Sequence, residues 1–448
     1  MSENRTVLFD RNKMIRLMLP ILGEQFLAIS LGLFDSVMVA SCGEAAVSGI
    51  SLVDSISVLF IQILSALATG GAVIISRYIG QDHKGHAKLA SGQLMLVLVT
   101  SSLGLMLIIL FSYRFLIVII FGKIEADVME SAVTYFFISA LSYPALGAYN
   151  AGAAVFRSQG NSRISLLASL VMNIFNLGGN ALLIYGFNMG VAGAAIATTA
   201  SRFIAAFAVI WFLQKKNPVL ALTPKTFFIP DPKMIKRILS IGIPSGIENG
   251  MFQIGKLMLA SMISGFGTVA ITANAIGGNV SAFFNVPGSA VCQTMLVVIG
   301  QAVGYGDRKE TLRYGRLLHR IGLISEFAAQ SLHLILLRPI LLLYQLSDAT
   351  YFETARLLTT CAICSMFFWA ESFCTPNILR AAGKVKYSMV VSTFSMWVFR
   401  IGSAIILAKV FSLGVLGVWI GMYIDWVFRA AAFYGSYRRG RWAGVTVE

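Results

Sequence analysis

Apolar runs long enough to cross a bilayer recur along the whole 448-residue chain, and they constrain its fold more than any other feature. A spanning helix needs about 20 mostly apolar residues. Twelve such segments are read: Arg16–Ala40, Ile50–Ile75, Leu89–Phe111, Ser131–Phe156, Ile164–Tyr185, Val191–Leu213, Ile238–Ser264, Ala275–Ile299, Leu317–Leu337, Leu357–Leu379, Met389–Phe411 and Val415–Tyr437. Backbone polar groups in hydrocarbon must pair within the segment, so each is expected to be a helix. The expected fold class is an all-α polytopic membrane protein with 12 transmembrane helices. Composition agrees: 57% of residues are apolar, 12% are charged and the mean hydropathy is +0.78. Soluble domains carry about 25% charged residues, which argues against an ordinary soluble enzyme, a disordered chain or a disulfide scaffold.

The net charge is +15. In a soluble protein that would suggest nucleic acid; here the bases sit in short loops, so no nucleic-acid partner is expected. One set of loops holds Arg77, Lys84 and Lys88; Arg157 and Arg163; Lys215, Lys216, Lys225, Lys233, Lys236 and Arg237; Arg308, Lys309, Arg313 and Arg316; Lys384 and Lys386. Both termini join this set, through Arg5, Arg11 and Lys13 and through Arg438, Arg439 and Arg441. The opposite loops are poor in bases, with Arg114, Lys123, Arg338 and Lys409 the exceptions. The positive-inside rule then puts both termini in the cytoplasm of a cell (plasma or inner) membrane. The apolar segment after the basic N-terminus is too long for a signal-peptide core and is expected to be a retained helix. Cys361 and Cys364 form a C-x-x-C inside an apolar run with no second pair, which reads as small residues on a helix face rather than a metal or redox site.

Shifted by 224 residues, the chain matches itself. Pro20 falls on Pro244, Glu24 on Glu248, Gly43 on Gly267, Gly80 on Gly304, and Gly190-Val191-Ala192-Gly193 on Gly414-Val415-Leu416-Gly417. With a shift one residue shorter, Arg157 and Gly160 fall on Arg380 and Gly383. Hydrophobicity alone does not dictate Pro, Glu and paired Gly positions. The polar break 214–237, with Pro218, Pro224, Pro230 and Pro232 and five lysines, lies between the halves. The expected domains are an N-terminal six-helix lobe (1–213), a cytoplasmic linker (214–237) and a C-terminal six-helix lobe (238–448). Six-span halves of like topology are expected to be related by a pseudo-twofold axis along the membrane normal, with a cavity between them and rocking alternating access.

The motifs themselves resemble the multidrug and toxic compound extrusion family over nearly the whole chain. They comprise the LP-x-x-x-E-Q opening of the first helix, LGLFDSVMVA with the following Gly43, RYIGQDHKGHA and its counterpart GQAVGYGDRKE, RSQGNSR after the fourth helix, and the stretch Asn173 to Thr198 ending GVAGAAIAT. The resemblance implies a secondary antiporter, prokaryotic in type. It would export amphipathic, often cationic organic compounds, driven by Na⁺ or H⁺. It implies no cofactor beyond that ion and no metal beyond Na⁺. A monomer in the bilayer, with a small organic molecule as its partner, is expected. One branch of the family builds a cation site from an Asp on helix 1, an Asn and an Asp one turn apart on helix 5, and a Thr on helix 6. The matching positions are Asp35, Asn176, Asn180 and Thr198; Asn180 departs, being neutral where that branch has an acid. Another branch uses acids on helices 7 and 10, for which Glu248 and Glu371 are analogies by helix only.

Ionisable groups in a membrane core are costly and mark function or pairing. Asp35 reads as a cation or substrate ligand, or as a structural hydrogen-bond acceptor near the helix end. Glu371, in FFWAESF, is flanked by aromatics that suit flat organic cations; the structural alternative is an ion pair with Lys256 or Arg400. Glu24 and Glu248, at repeat-equivalent positions, fit bracing or gating as well as binding. Lys256 reads as an internal counter-ion or a substrate contact. Asp54, Arg202 and Asp425 read as structural. These groups lead us to expect a cavity with more acids than bases. Pro20, Pro144, Pro244, Pro287 and Pro376 lie within or near spans, where proline removes a hydrogen bond and kinks a helix, and several such kinks suit alternating access. No G-x-x-x-x-G-K-[ST], H-E-x-x-H or G-x-S-x-G with a His partner occurs, so no enzyme is expected. The alternatives to cation-coupled export are a lipid-linked precursor or polysaccharide flippase of the same superfamily, which a cationic groove would favour, and a membrane-embedded enzyme, which would need clustered His and Asp at one membrane face.

Overall fold

The computed structural model describes residues 8–122, 124–216 and 220–444. Arg5, Lys123, Pro218 and the Lys216 side chain lie outside what is described. Among the described residues every regular element is helical. The first half holds α1 (Arg11–Ala40), α2 (Glu44–Gly80), α3 (Lys84–Phe121), α4 (Ala126–Ala140), α5 (Tyr143–Ser158), α6 (Ser162–Asn180), α7 (Gly190–Lys216) and the short α8 (Pro224–Phe228). Then come α9 (Pro232–Ser264), α10 (Thr268–Phe284), α11 (Val286–Tyr305), α12 (Arg308–Leu343), α13 (Asp348–Phe373), α14 (Thr375–Ala381), α15 (Val385–Phe394), the single turn α16 (Ser403–Ile405) and α17 (Gly414–Arg438). Wider π-type turns occupy Ala181–Gly186, Ser395–Gly402 and Ile406–Val410.

All twelve expected segments are helical, and ten helical stretches are long and apolar enough to cross a membrane. The other two have local explanations. Ser131–Phe156 is not one helix: α4 and α5 have 15 and 16 residues and part at Leu141–Ser142. In α9 the run Ser240-Ile-Gly-Ile-Pro-Ser-Gly-Ile-Glu-Asn-Gly250 dilutes the apolar character. Three prolines begin helices instead of kinking them. Pro144, Pro287 and Pro376 stand in the first turn of α5, α11 and α14, where a missing N–H costs nothing. Pro20 and Pro244 do lie inside α1 and α9.

The repeat is written into the backbone. Positive φ angles occur in pairs 224 residues apart at Gly43 and Gly267, Asp82 and Gly306, Asn188 and Ser412, and Gly190 and Gly414. Two more pairs, Gly122 with Gln345 and Gly160 with Gly383, are offset by 223. Gly43 (φ +101°) and Gly267 (φ +90°) cap the starts of α2 and α10. A side chain would strain that conformation at both turns. The π-type turn at Ala181–Gly186 has its counterpart in Ile406–Val410.

The chain divides into two compact units, one from Asp10 to Gly246, the other from Ile247 onward together with the N-terminal stretch ending at Phe9. The described part of the 214–237 segment packs in the first unit. The Gln93 amide on α3 donates to the Thr226 and Ile229 carbonyls (2.8 and 2.9 Å), and its oxygen accepts from Asp231 N (2.9 Å). Arg237 bonds the Tyr78 hydroxyl. In the same unit a Cβ on Gly70 would meet Gly242 N and Ile238 O at 2.7 Å, so α2 and the start of α9 touch backbone to backbone. In the second unit α17 lies on the Ser395–Val410 segment through Gly417 and Gly421 in the same manner. Small residues at such crossings allow the close approach that stabilises helices in lipid.

Candidate functional site

In the first unit, four side chains form one hydrogen-bonded chain. Asn176 and Asn180 sit one turn apart on one face of α6. Asn180 Nδ2 donates to Asp35 Oδ1 on α1 at 2.6 Å and lies 3.2 Å from Asn176 Oδ1. Asn176 Nδ2 donates to Thr198 Oγ1 on α7 at 3.1 Å. Both asparagines are 1% exposed, while Asp35 is partly open. Asn180 Oδ1 is buried and has no donor among the described residues. The remaining oxygens thus include a carboxylate and an amide, a donor set that fits a hard cation or a proton. The chain leads to a second acid. Asp54 on α2 neighbours Tyr135 and Arg202, and Tyr135 in turn neighbours Thr198. Arg202 Nη1 donates to Ser142 Oγ at 2.7 Å.

Glu24 and Glu248 are braces built twice. Glu24 on α1 pairs with Arg157 on α5 (2.9 Å) and accepts from Ser165 (2.6 Å) and Tyr149 (3.4 Å). Glu248 on α9 pairs with Arg380 on α14 at 2.6 Å and with Arg429 on α17 at 3.9 Å. The paired acids and the paired arginines are the positions the repeat superposes. Sequence reading had singled out all four of these but not the pairing, and it missed Arg429.

Glu371 on α13 is tied to neither Lys256 nor Arg400. Its Oε1 meets His319 Nε2 at 2.6 Å, and its Oε2 accepts from Thr375 Oγ1 at 2.9 Å. His319 stacks on Tyr437, with ring centroids 4.7 Å apart. Nearby aromatic faces are taken by the protein's own arginines: Arg429 lies over Phe373 (4.6 Å) and Arg400 over Phe252 (5.1 Å). Arg400 also pairs with the fully buried Asp425 at 3.7 Å.

A cavity of about 380 Å³ lies within the second unit, walled by Phe252, Lys256, Trp369, Arg400, Trp419 and Trp426 among others. Its lining includes two bases and no carboxylate. The expectation of more acids than bases was for a cavity between the halves; this one lies within a single unit and is lined by bases. Behind Trp369, sequence reading missed Glu326, which is fully buried on α12. Its Oε1 accepts from Gln330 Nε2 (2.8 Å); Gln330 also bonds Asn285 (2.8 Å) and His333 (3.1 Å). The signal was available: Glu326, Gln330 and His333 lie at i, i+4 and i+7 in an apolar run and so share one helix face. Among the described residues no group of three or more His, Cys, Asp or Glu could hold a metal ion.

Comparison with known proteins meets this geometry. The MatE family model matches twice, over residues 20–182 and 244–406, at the offset of 224 that the self-match requires. The chain is 26% identical over 437 residues to a protein of Thermotoga maritima described as a probable multidrug resistance protein, NorM, covering 96% of this chain and 93% of that one. Among solved structures, an outward-facing multidrug resistance MATE family transporter of the MOP superfamily superposes with TM-score 0.88 at 20% identity, covering 96% of this chain and 94% of that one. A MOP superfamily transporter of Pyrococcus furiosus, described as having a binding pocket of reversed polarity that suggests a different function, superposes with TM-score 0.90 at 20% identity, covering 97% and 96%.

Proposed function

This chain belongs to the MatE family, as a NorM-like multidrug-efflux transporter with small-molecule substrates, and we propose that it couples export to inward movement of Na⁺ or H⁺ through Asp35, Asn176, Asn180 and Thr198. The observation that carries this reading is the hydrogen-bonded chain from the partly open Asp35 to the buried Thr198, spanning α1, α6 and α7. Occupancy by a cation or proton would neutralise Asp35 and replace the bond that Asn180 donates. The two arrangements would then differ in which helices are tied together. Asn180 cannot carry a proton, so a single acid would serve here. Proton coupling needs no more than Asp35; Na⁺ coupling would draw on Asn180 Oδ1 as well.

The exporter is proposed to work as a monomer in the cell membrane, with both termini cytoplasmic, on the strength of the loop charges. It would need no cofactor and bind no nucleic acid. Glu24 and Glu248 serve as braces in this reading, and Glu371 with His319 as a paired site within the second unit. One observation favours the neighbouring reading, a flippase for anionic amphiphiles: the cavity lined by Lys256 and Arg400. The Pyrococcus furiosus relative is described as reversed in pocket polarity, so the backbone does not dictate substrate charge.

The test is efflux of a fluorescent organic compound from proteoliposomes, under a Na⁺ gradient and, separately, a pH gradient. One gradient is expected to drive export in the wild type. Asp35→Asn is expected to abolish gradient-driven export while keeping the wild-type melting temperature. Undiminished coupling in that variant would overturn the assignment of Asp35.

A further inference from the structure

We propose that the cavity in the second unit binds the anionic group of an amphipathic aromatic compound, an organic carboxylate or sulfonate, with Lys256 as its counter-ion. Lys256 extends from α9 into the cavity, and among the described residues no hydrogen bond or ion pair engages its ammonium. The charge beside it is Arg400, of the same sign. Arg400 itself is partnered by Asp425, which is held by Ser395 and fully buried. The wall of the cavity is thus left with one positive charge uncompensated. Lys256 is exposed on this wall, and a ligand that covers it would take the ammonium out of water, a cost that a ligand anion offsets.

The rest of the lining defines the ligand's body. Trp369, Trp419 and Trp426 offer broad apolar faces, and Trp419 Nε1 is already committed to Asn274 Oδ1 at 3.0 Å. Flat rings pack on such faces by offset or edge-on stacking. A volume of about 380 Å³ falls in the range of sites for drug-sized molecules. Two buried acids lie close by, Asp425 paired with Arg400 and Glu326 beside Gly288 with Trp369, and neither lines the cavity. A cationic ligand would therefore meet two like charges and no carboxylate in the lining. That the anion is exported cargo rests on the efflux reading above; that it binds does not.

Binding of 2-naphthoate, 2-naphthamide and 2-naphthylmethylammonium to the full chain in zwitterionic nanodiscs tests this, by calorimetry with no ion gradient. Naphthoate is expected to bind at least tenfold tighter than the amide, and the ammonium compound weakest. Lys256→Gln is expected to cut naphthoate affinity tenfold or more, leave amide affinity unchanged and keep the melting temperature, since no internal partner is stranded. Lys256→Arg is expected to retain the preference. Arg400→Gln is avoided, because it strands Asp425. Equal affinity for the three compounds, or a naphthoate preference that survives Lys256→Gln, would overturn the proposal. Nanodiscs containing phosphatidylglycerol identify the source of the anion. Competitive loss of naphthoate binding marks a lipid headgroup as the natural occupant, and unchanged binding marks a soluble acid. The second outcome supports the proposal; the first would overturn the aromatic acid as the occupant. Failure of gradient-driven efflux with intact naphthoate selectivity would sink the coupling reading alone.

Discussion

Each buried acid in this protein takes its meaning from its partner. Removing one partner of a buried ion pair leaves an uncompensated charge and costs about 3–5 kcal/mol, whereas exposed pairs contribute about 0–1 kcal/mol. Glu248→Gln leaves Arg380 and Arg429 facing each other without an acid, and Glu24→Gln frees Arg157. Both are expected to lower thermal stability in detergent by amounts in the larger range. Asp82→Asn, whose Lys84 partner is 3.8 Å away and mostly exposed, is expected to change nothing measurable. Equal melting temperatures for Glu248→Gln and Asp82→Asn would mean that the braces are not structural. The sequence made these residues legible as repeat positions, because Glu24 and Glu248 recur at one spacing. It did not reveal the bonds, since Glu24 and Arg157 lie 133 residues apart and meet only once the chain is folded. Glu371 shows the same limit. Candidate cations were sought by charge, and the partner is His319, a residue whose charge is optional.

Elements were legible where hydrophobicity defines them and opaque where proline does. Apolar length located all twelve segments. It could not tell a kinked span from two helices meeting end to end, because Pro144, Pro287 and Pro376 suit either. The outcome depends on whether the residues before the proline keep helical geometry, which proline disfavours. Close crossings were equally hidden. Gly417, Gly421 and Gly435 all lie on α17, and no pattern in the sequence ranks them. A Cβ on Gly421 would sit 2.9 Å from Ala404 N and Arg400 O, backbone atoms that cannot swing away, whereas a Cβ on Gly435 would meet nothing within 4 Å. Gly421→Ala is therefore expected to destabilise by about 1–3 kcal/mol, as overpacking does. Gly435→Ala is expected to be neutral or slightly stabilising, by up to about 1 kcal/mol, since alanine favours helix. Thermal unfolding of the two single variants in the same detergent checks the contrast. Comparable losses in both would show that α17 does not rest on the Ser395–Val410 segment through its glycines. That segment carries Arg400 and Ser395, so its displacement would also reach the cavity wall.

For the whole molecule, duplication explains the scaffold and divergence explains the chemistry. Both units repeat the same turns, the same acid–arginine brace and the same π-type turn near equivalent helix ends. They differ inside. The first unit holds the neutral amides and the acid at Asp35, and the second holds Lys256, which has no counter-ion among the described residues. Hydrophobic patterning preserves the first kind of information and is blind to the second, which is why the helical segments could be read and the basic lining of this cavity could not. If Asp35 occupancy and the cavity favour different arrangements of one molecule, the two bindings must be linked. Linkage is reciprocal: whatever factor the coupling ion imposes on naphthoate affinity, naphthoate imposes on the ion. An antiporter needs that factor to oppose joint binding, and typical couplings run to about 5–150-fold. Naphthoate titrations at saturating and at minimal coupling ion are expected to show weaker binding at saturation in the wild type. Ion titrations with and without naphthoate should return the same factor. In Asp35→Asn the naphthoate affinity should persist and its dependence on the ion should vanish. Naphthoate binding that is indifferent to the ion in the wild type would separate the cavity from the transport cycle, and tight anion binding would then belong to some other task of the second unit.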